Sequence, residues 1–222
     1  MLRTLTLLAA LALPGAALAC PAQPLPQSAQ AELPVDGTHD TQLFGQAVLH
    51  HVNRARCEAG LTALAPLPVL SAVATAHSQD MVRLDFFDHI SPVAGRETLV
   101  DRVRPTGLSL ARVAENIGQI FGVDYEPGRR YRALDAANCQ FTYEGGTPVG
   151  DALGSVVGRA AEPIPRHSYD SAGARIVGNW LASPGHRANI MAPDLTRHGA
   201  GFATGDRGQL CGRLFVTQVL IQ

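Results

Sequence analysis

The spacing of apolar positions changes several times along the chain, and each change marks an element. From Asp40, Phe44, Val48, Val52 and Ala55 recur at helical spacing until Gly60 stops them, with Asp40 in the capping position. A second helix follows Pro68, with Leu70, Val73, Ala74, His77, Met81 and Leu84 on one face. "DFFDHISP" then reads as a loop, and residues 97–104 as a short helix ended by Pro105 and Gly107. "RVAENIGQ" falls at the start of a strand or in the loop leading into it. Residues 171–182 return to helical spacing through Ala174, Val177 and Leu181, and "SPGHR" reads as a turn behind them. The runs "HGAGFATG" and "LCGRLFVTQVLIQ" are strand-like and joined through a Gly-Asp turn, which predicts a hairpin. Residues 122–168 carry many Gly, Pro and Arg with weak periodicity, and predict a long irregular excursion with one hairpin around Cys139–Tyr143. The order of these elements predicts an α+β or layered α/β/α domain.

Composition narrows the picture. A chain of 222 residues, 46% hydrophobic, can bury one sizeable core. A net charge of −1 with 17% charged residues leaves no basic footprint, so no nucleic-acid partner is expected. All 18 basic residues are Arg, which removes Schiff-base lysines, Ser-Lys pairs and the P-loop lysine.

The start, "MLRTLTLLAALALPGAALAC", reads as a signal peptide over residues 1–19, with Arg3 before the apolar run and Ala17-Leu18-Ala19 as the cleavage site. The apolar run is too short for a transmembrane segment in the mature chain. Residues 20–39 read as a flexible Pro/Gln-rich leader and residues 40–222 as the folded domain. The expected location is secreted or periplasmic. The alternative is a lipoprotein anchored through Cys20, although Ala17 and Leu18 fit a lipobox poorly. Cys20, Cys57, Cys139 and Cys211 make an even set suited to an oxidising compartment. Of three connectivities, Cys139–Cys211 is preferred, adding roughly 4 kcal/mol by loop closure. Cys20–Cys57 then follows by elimination.

Among eight histidines, His77 lies on a helix's apolar face and reads as a satisfied core residue, while only one of His50 and His51 can face inward. His89 and His186 differ, each sitting beside Ser-Pro in a predicted turn, where functional side chains concentrate. Glu115 is a carboxylate between apolar residues and must find a partner if buried. His89, His186 and Glu115 are therefore candidate ligands of zinc or another divalent metal, or a candidate catalytic acid/base set. The plainer reading is a buried fastener, in which the three satisfy one another. No nucleophile motif is present: residues 154–158 lack G-x-S-x-G spacing. Trp180 reads as an anchor for its helix, and Arg129, Arg130 and Arg132 as a solvated face.

Taken in order, "VNRARCEAGLTAL", "AVATAHSQDMVRLDFFDHISP", "AENIG", "WLASPGHRANIM" and "HGAGFA…LFVTQVL" resemble the CAP superfamily, the SCP domain of cysteine-rich secretory, antigen 5 and pathogenesis-related proteins, in its bacterial exported branch. The resemblance implies an α-β-α sandwich with a central antiparallel sheet between helical layers, residues 122–168 being a long insertion. It also implies a cleft where histidines and glutamates converge, sometimes on a divalent metal such as zinc. His89 matches the histidine of the F-x-H-x-S-P turn, Glu115 the glutamate of the G/A-E-N motif, and His186 that of the bacterial W-x-x-S-P-G-H-R-x-N stretch. Two positions depart from eukaryotic members: Ser183 stands where they carry a second glutamate, and Phe215 where they carry a late histidine. The implied function is a non-enzymatic exported binding domain for a metal, a small apolar or lipid-like ligand, or a cell-envelope component. The alternative is a metal-assisted or acid/base hydrolase using His89, His186 and Glu115.

Overall fold

The computed structural model describes residues 24–205 and 209–222. The signal peptide, the Cys20 partner expected for Cys57, the lipoprotein alternative and most of the Gly-Asp turn therefore lie outside the described residues. Helix α1 spans Thr41–Glu58, and the Asp40 carboxylate accepts from the Leu43 amide at 2.9 Å. A two-residue strand β1, Ala65–Pro66, leads into α2, Pro68–Leu84, which opens on Pro68 where the lost N–H costs nothing. Short α3 covers Leu99–Val103, and strand β2 covers Val113–Phe121. Strands β3 (Tyr131–Asp135), β4 (Gln140–Gly150) and β5 (Val156–Ile164) follow. Helices α4 (Tyr169–Ala182) and α5 (Pro184–Ile190) precede the closing pair β6 (Arg197–Gly205) and β7 (Arg213–Ile221).

The central sheet runs β1-β6-β7-β2, antiparallel except for the short parallel pairing of β1 with β6. Helix α2 lies on one face, and α1 and α4 lie on the other, which is the α-β-α sandwich. Strand alternation explains "HGAGFA". On β6, Ala200 and Phe202 face α1, with the Phe44 and Phe202 rings 4.4 Å apart. Gly199 and Gly201 face α2 and let its backbone come down onto the sheet. A Cβ on Gly199 would stand 2.3 Å from the Ser71 nitrogen, and one on Gly201 2.0 Å from the Thr75 hydroxyl.

Buried polar groups stitch the loops to this frame. Asn53 exchanges two hydrogen bonds with the Leu64 backbone, at 2.9 and 2.8 Å. The Arg56 guanidinium is buried and donates to the carbonyls of Thr62, Ile190 and Ala192 at 2.9, 2.6 and 2.9 Å, tying the end of α1 to the chain beyond α5. Trp180 anchors α4 as expected, its indole N–H donating to the Ile117 carbonyl at 2.9 Å.

Residues 122–168 correct the sequence reading. They are not largely irregular: β3, β4 and β5 form a second antiparallel sheet in that order, and the expected hairpin around Cys139 is the β3–β4 turn. Breaks in register at Ala133/Asp135, Tyr143/Thr147 and Val149/Gly150 shift the inward positions and erase the alternation a strand would show in sequence. Val123, Phe141, Tyr143, Ile164 and Leu210 give this sheet a small core of its own. The Cys139–Cys211 disulfide fastens it to the start of β7. Arg129 and Arg130 are not free: they pair with Glu162 and Glu144 at 2.7 and 2.8 Å.

Two measurements follow from this frame. The disulfide closes a separation of 72 residues, so the double variant Cys139→Ala/Cys211→Ala is expected to unfold in urea with about 4 kcal/mol less stability. An equal midpoint in both proteins would contradict a fastening role. His198, buried on β6, has its pKa pushed down to about 3 by desolvation. The unfolded ring titrates near 6.5, so between these values the unfolded chain binds a proton that the native chain does not. Stability therefore falls as pH drops below about 6.5, by up to about 1.4 kcal/mol per pH unit for this group. In urea titrations from pH 7 to 4.5, His198→Gln should show that much shallower a slope.

Candidate functional site

Three segments meet at the start of β2. Strand β2 is the outer strand of the sheet, and its odd residues face α2, so Glu115 points to the same side as His77. Helix α2 ends at Asp85 in a left-handed conformation (φ 51°), and the chain turns back as a loop. The Asp88 side chain accepts from the Ile90 amide at 2.8 Å, and Ser91 N–H donates to the Glu97 carbonyl at 2.8 Å. Those bonds shape the loop that carries His89. Thr98 and Asp101 then form a capping box that starts α3 and delivers Arg102.

Glu115 is the centre. Its side chain is 3% exposed, and both oxygens are engaged: Oε1 with His89 Nδ1 at 2.8 Å, Oε2 with an Arg102 N–H at 2.7 Å. His77 Nε2 stands 4.0 Å from Oε1 and 3.1 Å from the Asp88 carbonyl. Arg102 is itself buried and donates to the carbonyls of Arg96, Glu97 and His89 at 3.2, 3.1 and 3.2 Å. One guanidinium thus neutralises the carboxylate and folds the histidine loop around itself.

The titration directions follow from this arrangement. Burial pushes the Glu115 pKa up, but the His89 hydrogen bond and the Arg102 charge outweigh it and hold the carboxylate below its ordinary value. His89 is raised, first by its bond to Glu115 and against partial burial. His77 is lowered, because desolvation exceeds the pull of Glu115. His186 is lowered, first by desolvation and then by the charge of His89.

His186 does not lie in a turn as expected. Ser183 is extended, and Pro184 begins α5 at once, its fixed φ suiting a first helical position. Helix α5 is held to β2 by a polar seam. The Asn116 amide donates to Gln218 Oε1 at 2.8 Å and to the His186 carbonyl at 3.3 Å. Asn189 donates to Asn116 Oδ1 at 2.9 Å and to the Glu115 carbonyl at 3.2 Å.

The structure thus joins His89 to Glu115 directly and ties the His186 backbone to Asn116, the residue after Glu115. The sequence reading missed Arg102, Asn116 and Asn189, and treated His77 only as core. Asn116 and Asn189 lay inside the quoted motifs, and "T-x-x-D" ahead of Arg102 was a capping signature. Half of the His89 side chain remains exposed, between Phe87 and Ile90, which are 46% and 58% exposed. Among the described residues, no three His, Cys, Asp or Glu side chains are grouped so as to hold a metal ion. Glu115 already carries a guanidinium on one oxygen, so it fits the role of the carboxylate behind a histidine better than that of a direct ligand. His89 donates to Glu115 through Nδ1, which leaves the lone pair of Nε2 free in the neutral ring.

The profile of the CAP family, the cysteine-rich secretory protein family, matches residues 130–220. That match covers about two fifths of this chain. The match takes in α4, α5, β6 and β7 together with the small sheet, whereas His89, Arg102 and Glu115 lie ahead of it. Among solved structures, an outer surface protein of Borrelia burgdorferi is 14% identical with a TM-score of 0.50, covering 84% of this chain and 98% of that one. An extracellular SCP-domain protein of Bacillus anthracis is 22% identical at 0.49, over 82% of this chain and 41% of that one. A cysteine-rich secretory protein of Staphylococcus aureus is 9% identical at 0.44, over 82% and 39%. The chain thus spans about two fifths of the Bacillus and Staphylococcus chains and nearly all of the Borrelia one. The Borrelia likeness supports the fold. Comparison with curated proteins gave no match.

The buried ion pair carries a sharp stability test. Arg102→Met strands a buried carboxylate and is expected to cost about 3–5 kcal/mol in urea unfolding. The double variant Glu115→Gln/Arg102→Met removes both charges and should recover most of that loss. Simple addition of the two single losses would show that the pair is not coupled.

Proposed function

We propose that the chain is an exported, non-enzymatic binding domain whose contact groups are His89 and His186, with Glu115 and Arg102 as the support that holds His89 in place. The observation carrying this reading is the engagement of both Glu115 oxygens, which leaves the carboxylate no free face for general-base work while half of His89 stays open. Export is supported by the signal-like residues 1–19 and by relatives described as extracellular or outer surface proteins. No described helix is long and apolar enough to cross a membrane. Phe87 and Ile90 beside His89 favour an amphipathic ligand or envelope partner, its polar part at the imidazoles and its apolar part on that rim.

In this reading a divalent ion such as zinc is held by the His89 and His186 ring nitrogens, with Glu115 as the carboxylate orienting His89. Such an ion would give a polar ligand head an electrophilic contact. The test is thermal melting of the oxidised protein with and without zinc at pH 7.5 and 5.5. A rise at pH 7.5 that disappears at pH 5.5, and that His89→Ala and His186→Ala each abolish, is the expected result. An equal zinc response in the variants would sink the metal part. The hydrolase alternative has one observation in its favour, the 2.8 Å His89–Glu115 pair. It requires ester or peptide hydrolysis that rises with pH through the His89 titration and vanishes in Glu115→Gln.

A further inference from the structure

A cavity of about 290 Å³ opens at the far end of β2 between α4, the 123–127 segment and the start of β7. Gln119 lines it, four residues beyond Glu115 on the same strand face and so about 13 Å away, which separates it from the imidazole site. Its volume is at the small end for ligand pockets.

The walls are of two kinds. Phe121 and Tyr125 stand edge to face, with centroids 5.8 Å apart, and give one side a flat apolar surface. Opposite chemistry comes from two guanidiniums and two amides, Arg175, Arg213, Gln119 and Asn179. The guanidiniums are not equivalent. Arg175 is committed to Asp124, its Nε donating to Oδ1 at 3.0 Å. Arg213 is half-buried, lies 5.9 Å from the centre of the Phe121 ring, and among the described residues has no carboxylate or hydrogen-bond partner. Its donors are thus unspent in a partly dehydrated place beside an aromatic face. A planar fork so placed matches a carboxylate or phosphate through two parallel hydrogen bonds.

We infer that this pocket binds a small ligand with a flat apolar body and an anionic head, the head taken by Arg213 and the body laid against Phe121. The inference is independent of the metal and partner reading of the His89 site. Arg213 sets affinity for the head, and the amides of Gln119 and Asn179 orient it.

The experiment is calorimetric titration of the oxidised protein with benzoate, phenyl phosphate and the neutral benzyl alcohol. At least one anion is expected to bind, and benzyl alcohol at least tenfold more weakly; which anion binds tells carboxylate from phosphate. Arg213→Gln should weaken the anion at least tenfold at an unchanged melting temperature, and His89→Ala should leave binding intact. If Arg213→Gln fails to fold, Asn179→Asp, which adds a negative charge on α4, serves the same purpose and should weaken binding as strongly. Binding of neither anion, equal binding of the alcohol, or full affinity in the folded pocket variants would overturn the inference.

Discussion

A carboxylate almost wholly withdrawn from water sits on the outer strand of the sheet, and much of the functional end of this protein is arranged to keep it ionised. Glu115 has Arg102 on one oxygen and His89 on the other. An unpaired charge in that position would be costly enough to change protonation or to unfold the region. The guanidinium that prevents this also collects three carbonyls from the loop between α2 and α3. Charge neutralisation and loop folding are therefore one event. The same carboxylate lifts the His89 pKa and fixes the ring through Nδ1, so the exposed face of the imidazole is a consequence of the buried ion pair.

The sheet supplies the rigid part. Gly199 and Gly201 bring α2 close enough for His77 and the His89 loop to reach Glu115 from one face. The Asn116, Gln218 and Asn189 seam brings α5 and His186 against the strand's open edge. The Asn116 and Asn189 amides each donate twice in that seam, whereas Gln218 is engaged there through its Oε1 alone. The fold thus holds the His89 loop and helix α5, which carries His186, to one strand through polar contacts, with apolar packing behind.

That strand serves two different surroundings. At its beginning it carries a buried ion pair, with the His89 loop on one oxygen and α5 tied to the next residue. At its end it borders the Arg213 pocket, where the small disulfide-fastened sheet lies alongside. The segment leading into the small sheet supplies Tyr125 to the pocket wall.

Much of this was legible in the sequence. Helical spacing marked α1, α2 and α4, because each buries one stripe against a sheet and the stripe leaves a period. The Gly-spaced run and the final apolar run marked β6 and β7, and of the three pairings that an even cysteine count allowed, the preferred Cys139–Cys211 is the one formed. His89 and Glu115 stood out because a histidine beside Ser-Pro and a carboxylate among apolar neighbours need an explanation. The ribbon β3–β5 did not, since bulges shift its inward positions and most of its outer half is exposed on both faces. Helix α5 was hidden because Ser-Pro-Gly marks a turn and a helix start equally well. Arg102 looked like any helical arginine. Which of 18 arginines goes inside is decided by where a buried carboxylate ends up, and only the packed tertiary structure determines that.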